Sequence, residues 1–229
     1  MKGNAKSRCW YRLFEMLKKS AFLILLFFLF ANAYAQETWK LHTEKDGVKV
    51  FTKSILTSKI KALKIETTIN ASASELVNVL LDIDREKEWV YNIKSCVVVK
   101  RVSQSDLYYY SEVMLPWPAQ NRDFIAHIMV SQNPATKVVT IDAPCVSGFV
   151  AEKPGVVRIV QSTGKWIIIP ISKKQVKIEY TLAVDPAGSI PAWLVNLVAS
   201  QGPLETFKML KIQLQKPEYK NVRLPYITD

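Results

Sequence analysis

The stretch DPAGSIPAWLVNLVASQGPLETFKMLKIQL at 185–214 decides how the rest of the chain must fold. Pro191 suits the first turn of a helix, because the N–H that proline lacks would have no partner there. Helical periodicity then continues to the end of the stretch, and Gly202-Pro203 is expected to kink the helix. Because the run 193–199 is apolar on nearly every side, this helix needs an apolar partner of some size.

Alternation of apolar and polar residues predicts that the partner is a β-sheet. Two β-like runs at 46–54 and 60–70 are followed by a helix that starts with a capping box at 72–75. A short second helix is predicted at 84–93, and seven further β-like runs occupy 94–184. This order predicts an α+β domain in which one long helix lies across a curved antiparallel sheet and encloses a space.

The N-terminal segment has the pattern of a secretory signal peptide. Six basic residues and one acid in the first 20 positions precede the apolar run AFLILLFFLFA at 21–31. The small residues Ala33 and Ala35 then form a cleavage site, so we expect cleavage before Gln36. A run this short does not comfortably span a hydrocarbon core of ~30 Å. Met16 is an alternative start. The predicted location is periplasmic or secreted.

One domain is expected after removal of the signal peptide at 1–35. It comprises 36–229, with a core at about 40–216, and we expect it to be a monomer. Its formal charge falls from +11 to +6, because the signal segment carries six basic residues and one acid. The remaining basic residues are scattered, which favours transient contact with anionic membrane surfaces over nucleic acid. Cys96 and Cys145 remain, and two cysteines do not make a disulfide framework.

The residues offer little for catalysis, metal binding or a cofactor. No H-E-x-x-H, C-x-x-C, G-x-S-x-G or phosphate-loop motif occurs. His127 is interpreted as a solvated or locally bonded histidine. The acids Asp82, Asp84 and Glu86 are interpreted as a solvated helix turn, because acidic side chains are mostly exposed. The sequence therefore predicts a protein that is not an enzyme and uses no cofactor.

Four short motifs, in their order and spacing, resemble the START (steroidogenic-acute-regulatory-related lipid-transfer) domain family, most of all its exported or soluble bacterial members. They are PWPAQNRDF at 116–124, GVVR at 155–158, STGKW at 162–166 and DPAGSIPAWLVN at 185–196. The resemblance covers about 40–216. It implies a helix-grip fold whose C-terminal helix closes a hydrophobic tunnel holding one lipid. It also implies that this helix and an omega loop, here 142–155, act as a lid.

Strand parity and the resemblance together predict the residues that contact the lipid. Phe124 and Ile128 share an apolar strand face, and the resemblance places that face in the tunnel. Ile128 stands where sterol-binding relatives keep an arginine. Arg122 either anchors its strand or meets a head group, and Tyr110 either packs in the core or belongs to a polar patch in the tunnel. The small residues of the C-terminal helix leave room beneath it. The predicted set is Tyr110, Glu112, Arg122, Phe124, Ile128, Val139, Ile141, Gln161, Trp166, Val195, Ala199 and Thr206.

The leading hypothesis for function is binding, and possible transfer, of a lipid without catalysis. Burial of apolar surface at ~25 cal/mol per Å² would drive binding. The ligand classes left open are sterol, phospholipid, fatty acid and polyketide-like molecules. One alternative is an aromatase/cyclase-like enzyme of the same superfamily, for which the polar candidates are Tyr110, Glu112, Arg122 and Gln161. A second alternative is a lipid-dependent sensor that a partner protein reads.

Overall fold

The computed structural model describes residues 38–55 and 58–229, so the predicted signal peptide lies outside the described residues. Residues Trp39–Asp229 form one compact unit. Its strands are β1 (Lys40–Lys45), β2 (Val48–Ile55), β3 (Ser58–Ile69), β4 (Ile93–Arg101), β5 (Asp106–Val113), β6 (Asn121–Gln132), β7 (Val139–Pro144), β8 (Val156–Arg158), β9 (Gln161–Ser172) and β10 (Gln175–Asp185). Its helices are α1 (Ala73–Leu81), α2 (Ala192–Gln213) and two 3₁₀ helices, Ile83–Glu88 and Pro217–Tyr219.

Within the described ranges, the strands form one sheet with the order β1-β2-β3-β10-β9-β7-β6-β5-β4, and β8 pairs with β6 in parallel. Every other pairing is antiparallel. The predicted α+β fold, a curved antiparallel sheet with a C-terminal helix, is confirmed. Strand β1 was not predicted, because its residues are mostly exposed and lack an apolar alternation. The second predicted helix is shorter than expected, since residues from Ile93 onward belong to β4.

One face of the sheet, called here the inner face, carries the core. Residues paired across antiparallel strands lie on the same face, so the register defines this surface row by row. One such row runs through Val130, Ile141, Trp166, Tyr180, Ile65 and Val50. All six residues of this row belong to the buried core or pack against it, and all are apolar or aromatic. The row shows why the alternating runs were recognisable in the sequence.

Helix α2 covers part of the inner face with one apolar stripe. Phe207, Leu210 and Leu214 are at most 1% exposed, whereas Lys208 is exposed, as the periodicity predicts. The helix continues through Pro203 without a break, so Gly202-Pro203 does not end it. Of the residues described, no helix combines the length and the apolar character needed to cross a membrane.

The C-terminal segment after α2 returns to α1 and extends the domain beyond residue 216. The Tyr219 hydroxyl donates to Asp82 at 2.7 Å, and the Asn221 N–H donates to Glu75 at 2.7 Å. Glu75 also completes the predicted capping box with Ser72, in which each side chain accepts from the other residue's backbone N–H. The same carboxylate therefore begins a helix and binds the chain's last segment.

Candidate functional site

The apolar residues predicted to contact lipid share the inner face. Phe124 and Ile128 have the parity of Val130, which pairs with Ile141, and Ile141 pairs with Trp166. Trp166 stacks on Tyr180 with ring centroids 4.3 Å apart and lies 5.6 Å from the ring of Phe207 on α2. Val139 is buried on the same face, and Ala199 packs against the same core. The sheet and α2 therefore meet through aromatic side chains at this end of the inner face.

Tyr110 and Glu112 lie on the opposite face, called here the outer face, and this corrects their assignment to the tunnel. Tyr110 pairs with Ile125 and Glu112 pairs with Asp123, whereas Ser111 pairs with Phe124 of the inner face. The run YYYSE has three consecutive tyrosines followed by two polar residues, so its pattern does not tell one face from the other. Only the register with β6 shows which face each side chain occupies.

Glu112 is fully partnered on the outer face. Its carboxylate accepts from Lys94 at 2.8 Å and from Asn121 at 2.9 Å, and Lys153 lies 3.6 Å away. These interactions, first of all the hydrogen bond from Lys94, lower the pKa of Glu112. The Lys153 ammonium also lies 4.5 Å from the ring centroid of Tyr110. A carboxylate held by this many donors stabilises local structure and has little capacity left for a substrate.

A buried ion pair attaches the 142–155 loop to the outer face. Asp123, 1% exposed, accepts from Arg158 at 2.7 and 3.0 Å. The same guanidinium donates to the carbonyls of Val150 and Ala151, inside the loop. The bond to Asp123 is the main cause that raises the pKa of Arg158. Arg158 therefore connects the loop to β6 directly.

An aromatic stack adds a second attachment for the same loop. The ring of Phe149 stacks on Tyr108 at 4.5 Å, and Tyr108 stacks on His127 at 4.0 Å. His127 also pairs with Asp106 at 2.7 Å. The interpretation of His127 as a locally bonded residue is confirmed.

The structure also corrects the predicted ligand contacts of Arg122, Gln161 and Thr206, and for Arg122 it supports the alternative of a strand anchor. Arg122 uses its guanidinium on three backbone carbonyls, those of Gln120, Pro186 and Ala187, so it joins β6 to the turn before α2. Gln161 is exposed and has the outer-face parity of β9.

Thr206 accepts from the Tyr91 N–H at 3.1 Å, so the chain segment at Tyr91 occupies the space that the small residues were expected to leave. A Cβ at Gly202 would lie 3.6 Å from the Tyr91 ring, which shows how closely that segment approaches α2. The side chain of Val195 is outside the described set. Of the four polar candidates for an enzyme, Tyr110 and Glu112 contact each other on the outer face, 3.5 Å apart. Arg122 is bonded to the turn before α2 and Gln161 is exposed on β9, so the four do not converge on one site.

Glu86 is the residue that the sequence interpretation missed. It is 8% exposed, although its neighbours Asp84 and Lys87 are exposed, so the predicted solvated acidic turn is wrong at this position. Burial raises the pKa of Glu86 to about 8. Glu86 precedes the apolar residues Trp89 and Ile93 by three and seven positions, the spacing of one helix face, and this was the available signal.

Glu86 lies beside the inner-face side chains of β5. Ser111 and Tyr109 are the two neighbouring groups that oppose the rise of its pKa. Three atoms of this region, Glu86 Oε2, Ser111 Oγ and Trp89 Nε1, are buried without a hydrogen-bond partner among the described residues. Buried polar atoms are nearly always paired, so such a group indicates either a cost to stability or a place for a ligand.

The two remaining cysteines are free. Cys96 Sγ donates to the Ile83 carbonyl at 2.9 Å, and burial raises the pKa of both Cys96 and Cys145. In the part of the chain that the structure describes, no group of three or more His, Cys, Asp or Glu side chains is arranged to hold a metal ion.

Comparisons with known proteins agree with this architecture. The START domain family model matches residues 28–220. Uncharacterized protein PA1579 of Pseudomonas aeruginosa is 29% identical over 203 residues, which cover 88% of this chain and 98% of that protein. Phosphatidylcholine transfer protein of Mus musculus is 26% identical over 171 residues, covering 72% and 78% of the two chains. A solved structure of a STAR-related lipid transfer protein fragment from Xanthomonas axonopodis superposes with a TM-score of 0.71 at 26% identity, covering 78% of this chain and 99% of that one.

Proposed function

The chain belongs to the START domain family, and we propose that it binds one lipid between the inner face of its sheet and α2 and transfers it without catalysis. The observation that carries this proposal is the group of unpaired polar atoms at Glu86 and Ser111 beside a largely apolar inner face. A lipid has the complementary composition, with a long apolar part and one polar end. Two relatives that are named as lipid transfer proteins support the same function.

Burial of the apolar part supplies the driving force. Each methylene moved from water to an apolar wall contributes about 0.8 kcal/mol, so a long acyl chain gains on the order of 10 kcal/mol before the costs of association. The polar end then contributes specificity more than affinity, because its hydrogen bonds replace bonds to water.

We place the lid of this site in α2 and the 142–155 loop. Among the side chains that the structure describes, none caps the first turn of α2 at Pro191, and Trp193 on that turn is half exposed. The loop is attached by Arg158 and Phe149, so its opening requires those contacts to break. Opening and closing of such segments commonly limits entry and release.

Membrane contact is proposed for the end of the molecule that carries Trp117, which is 89% exposed. Arg122 joins the turn after Trp117 to the turn before Trp193, and both indoles are exposed. Indole rings prefer the interface between lipid and water, so this end suits brief docking. We also propose that the protein acts outside the cytoplasm, on the strength of the signal-peptide pattern at 1–35.

The experiment is extraction of the purified protein with organic solvent, followed by mass spectrometry and by a transfer assay between donor and acceptor vesicles. A co-purifying lipid and transfer above the spontaneous rate are expected. Ala199→Trp, which adds bulk where α2 packs against the core, should reduce both. Lys208→Trp, on the exposed side of the same helix, is the matched control and should leave them unchanged. A protein that stays empty and transfers none of a broad lipid panel would contradict the proposal.

A further inference from the structure

Three buried polar atoms have no hydrogen-bond partner within the described part of the chain, and they belong to Glu86, Trp89 and Ser111. These residues and the neighbouring Tyr109 are called here the Glu86 cluster. Glu86 and Trp89 are three residues apart at the 3₁₀ helix Ile83–Glu88, whose period of three directs such residues to the same side. Ser111 is fully buried on the inner face and lies between Tyr109 and Glu112 in β5. The cluster therefore contains residues of the 3₁₀ helix and of the inner face of the sheet.

The cluster presents three groups that can donate hydrogen bonds, at Trp89, Ser111 and Glu86. The indole N–H of Trp89 can only donate, and the Ser111 hydroxyl can donate or accept. Glu86 is mainly a neutral carboxylic acid at pH 7, because burial raises its pKa to about 8, and its O–H is then a further donor. A ligand oxygen atom can accept hydrogen bonds from these donors.

The groups around Glu86 supply no positive charge. Its pKa is set by burial, Ser111 and Tyr109, none of which is cationic. From the other elements, Cys96 of β4 and Tyr180 of β10 also face it, and the pKa of each is raised. Both are therefore neutral at pH 7.

Two charged residues of its own 3₁₀ helix, Asp84 and Lys87, are exposed to solvent. An anionic head group at the cluster would accordingly be buried without a partner, which is costly.

We infer that the Glu86 cluster is a head-group subsite for uncharged lipids whose polar end is a hydroxyl or carbonyl oxygen, and that it discriminates against lipids carrying a phosphate. This inference rests on the proposed function and narrows its ligand class. The head group accepts hydrogen bonds from Glu86 and Trp89 and exchanges one with Ser111. Ionisation of Glu86 removes a donor and places a negative charge beside the oxygen, so alkaline pH weakens binding.

The test compares lipids with the same two oleoyl chains and different head groups. Dioleoylglycerol presents a hydroxyl, dioleoylphosphatidic acid presents a phosphate, and a dioleoyl aminolipid presents an ammonium group. Binding is measured by displacement of Nile red from the purified protein. At pH 7 we expect dioleoylglycerol to bind at least about tenfold more tightly than dioleoylphosphatidic acid. Between pH 7 and 9.5 its affinity should fall by about tenfold, since each pH unit above the pKa of Glu86 lowers the protonated fraction by at most a factor of ten.

Two variants connect these results to the cluster. Glu86→Gln keeps a neutral N–H donor of nearly the same shape but has no carboxyl group to ionise, so the fall in its dioleoylglycerol affinity between pH 7 and 9.5 should be lost. Ser111→Ala should reduce the preference for dioleoylglycerol while leaving the fold intact, as judged by circular dichroism.

The inference would be overturned by equal binding of the phosphate lipid, by an alkaline fall that persists in Glu86→Gln, or by tightest binding of the aminolipid, which would indicate an ion pair. If neither Nile red nor any of the lipids binds, the proposed function itself fails. If all bind without head-group preference, only this inference fails.

Discussion

Buried acidic side chains near strand β5 differ in their hydrogen-bond partners between the two faces of the sheet. On the outer face, Asp123 and Glu112 are almost fully buried, and each has two or more donors within hydrogen-bond distance. Below the inner face, Glu86 is also buried, at 8% exposed, and one of its oxygens has no partner among the described residues. Burial alone therefore does not separate structural from functional residues. The partners do, because a satisfied acid stabilises the fold and an unsatisfied one leaves bonding capacity for a ligand.

The largest effect should come from breaking the buried pair of the outer face. Asp123→Asn leaves the Arg158 charge unpaired at low exposure, so we expect a loss of about 3–5 kcal/mol in the free energy of unfolding, measured in urea. The double variant with Arg158→Met should recover part of that loss. Lys165→Ala, which removes an exposed ion pair with Asp142, is the control and should cost less than about 1 kcal/mol. A loss below about 1 kcal/mol for Asp123→Asn would show that the outer-face pair is not structural.

Glu86 should make the free energy of unfolding depend on pH. The folded pKa of Glu86, about 8, lies above its ordinary value of 4.5, so the folded state holds a proton that the unfolded state has released between these values. Stability from this group is present at low pH and declines as pH rises towards about 8. Relative to Glu86→Gln, wild type should lose about 2–3 kcal/mol between pH 5.5 and 7.5.

The control for that slope is Glu112→Gln. The pKa of Glu112 is lowered, so its contribution is lost only as pH falls below its ordinary range, and the difference from wild type should stay flat between pH 5.5 and 7.5. Unfolding curves in denaturant at several pH values measure both differences. A flat difference for Glu86→Gln as well would remove the distinction between the two acids.

The attachment of the 142–155 loop offers a test of smaller size. Phe149→Ala removes the outer ring of the stack on Tyr108 and should cost about 0.5–1.5 kcal/mol. Amide hydrogen exchange should accelerate at 146–152, and lipid transfer should become faster by a few-fold if this loop limits release. Val102→Ala, an exposed apolar position outside the loop, should change neither measurement. Unchanged exchange in the loop would show that the stack does not hold it.

The smallest effect is expected for Lys153→Ala. This lysine is half exposed, and Glu112 retains Lys94 and Asn121 without it. The free energy of unfolding should therefore change by less than about 1 kcal/mol. Lys94→Ala, which removes the shorter contact, should cost more in the same urea titration. A loss above about 2 kcal/mol for Lys153→Ala would mean that the outer-face network depends on each of its members.

The sequence predicted the elements better than their pairing. Alternation located most strands and the stripe of α2, because each face of a strand or helix meets one environment. Strand β1 escaped detection since it buries little. The register that places Tyr110 on the outer face depends on β6, and no local pattern reports it.

The site was predicted in part, for a related reason. Phe124, Ile128 and Ile141 were assigned to one face correctly, because apolar residues at alternate positions identify the face that is buried. Glu86 was missed, because an acid next to other acids is usually solvated, and only the packing of the 3₁₀ helix on the sheet shows otherwise. Thr206 was misassigned because the segment at Tyr91 packs there, a contact between distant parts of the chain.

The pairing of β3 with β10 has a consequence for the order in which the protein folds. Ile65 pairs with Tyr180, and every residue between these strands precedes β10 during synthesis. Until β10 arrives, β3 presents an open edge of unpaired backbone groups, and an open edge can pair with another chain. Contacts between distant residues also form slowly, because the intervening chain must first be ordered. We therefore expect the early chain to need protection from aggregation until its last strand is available.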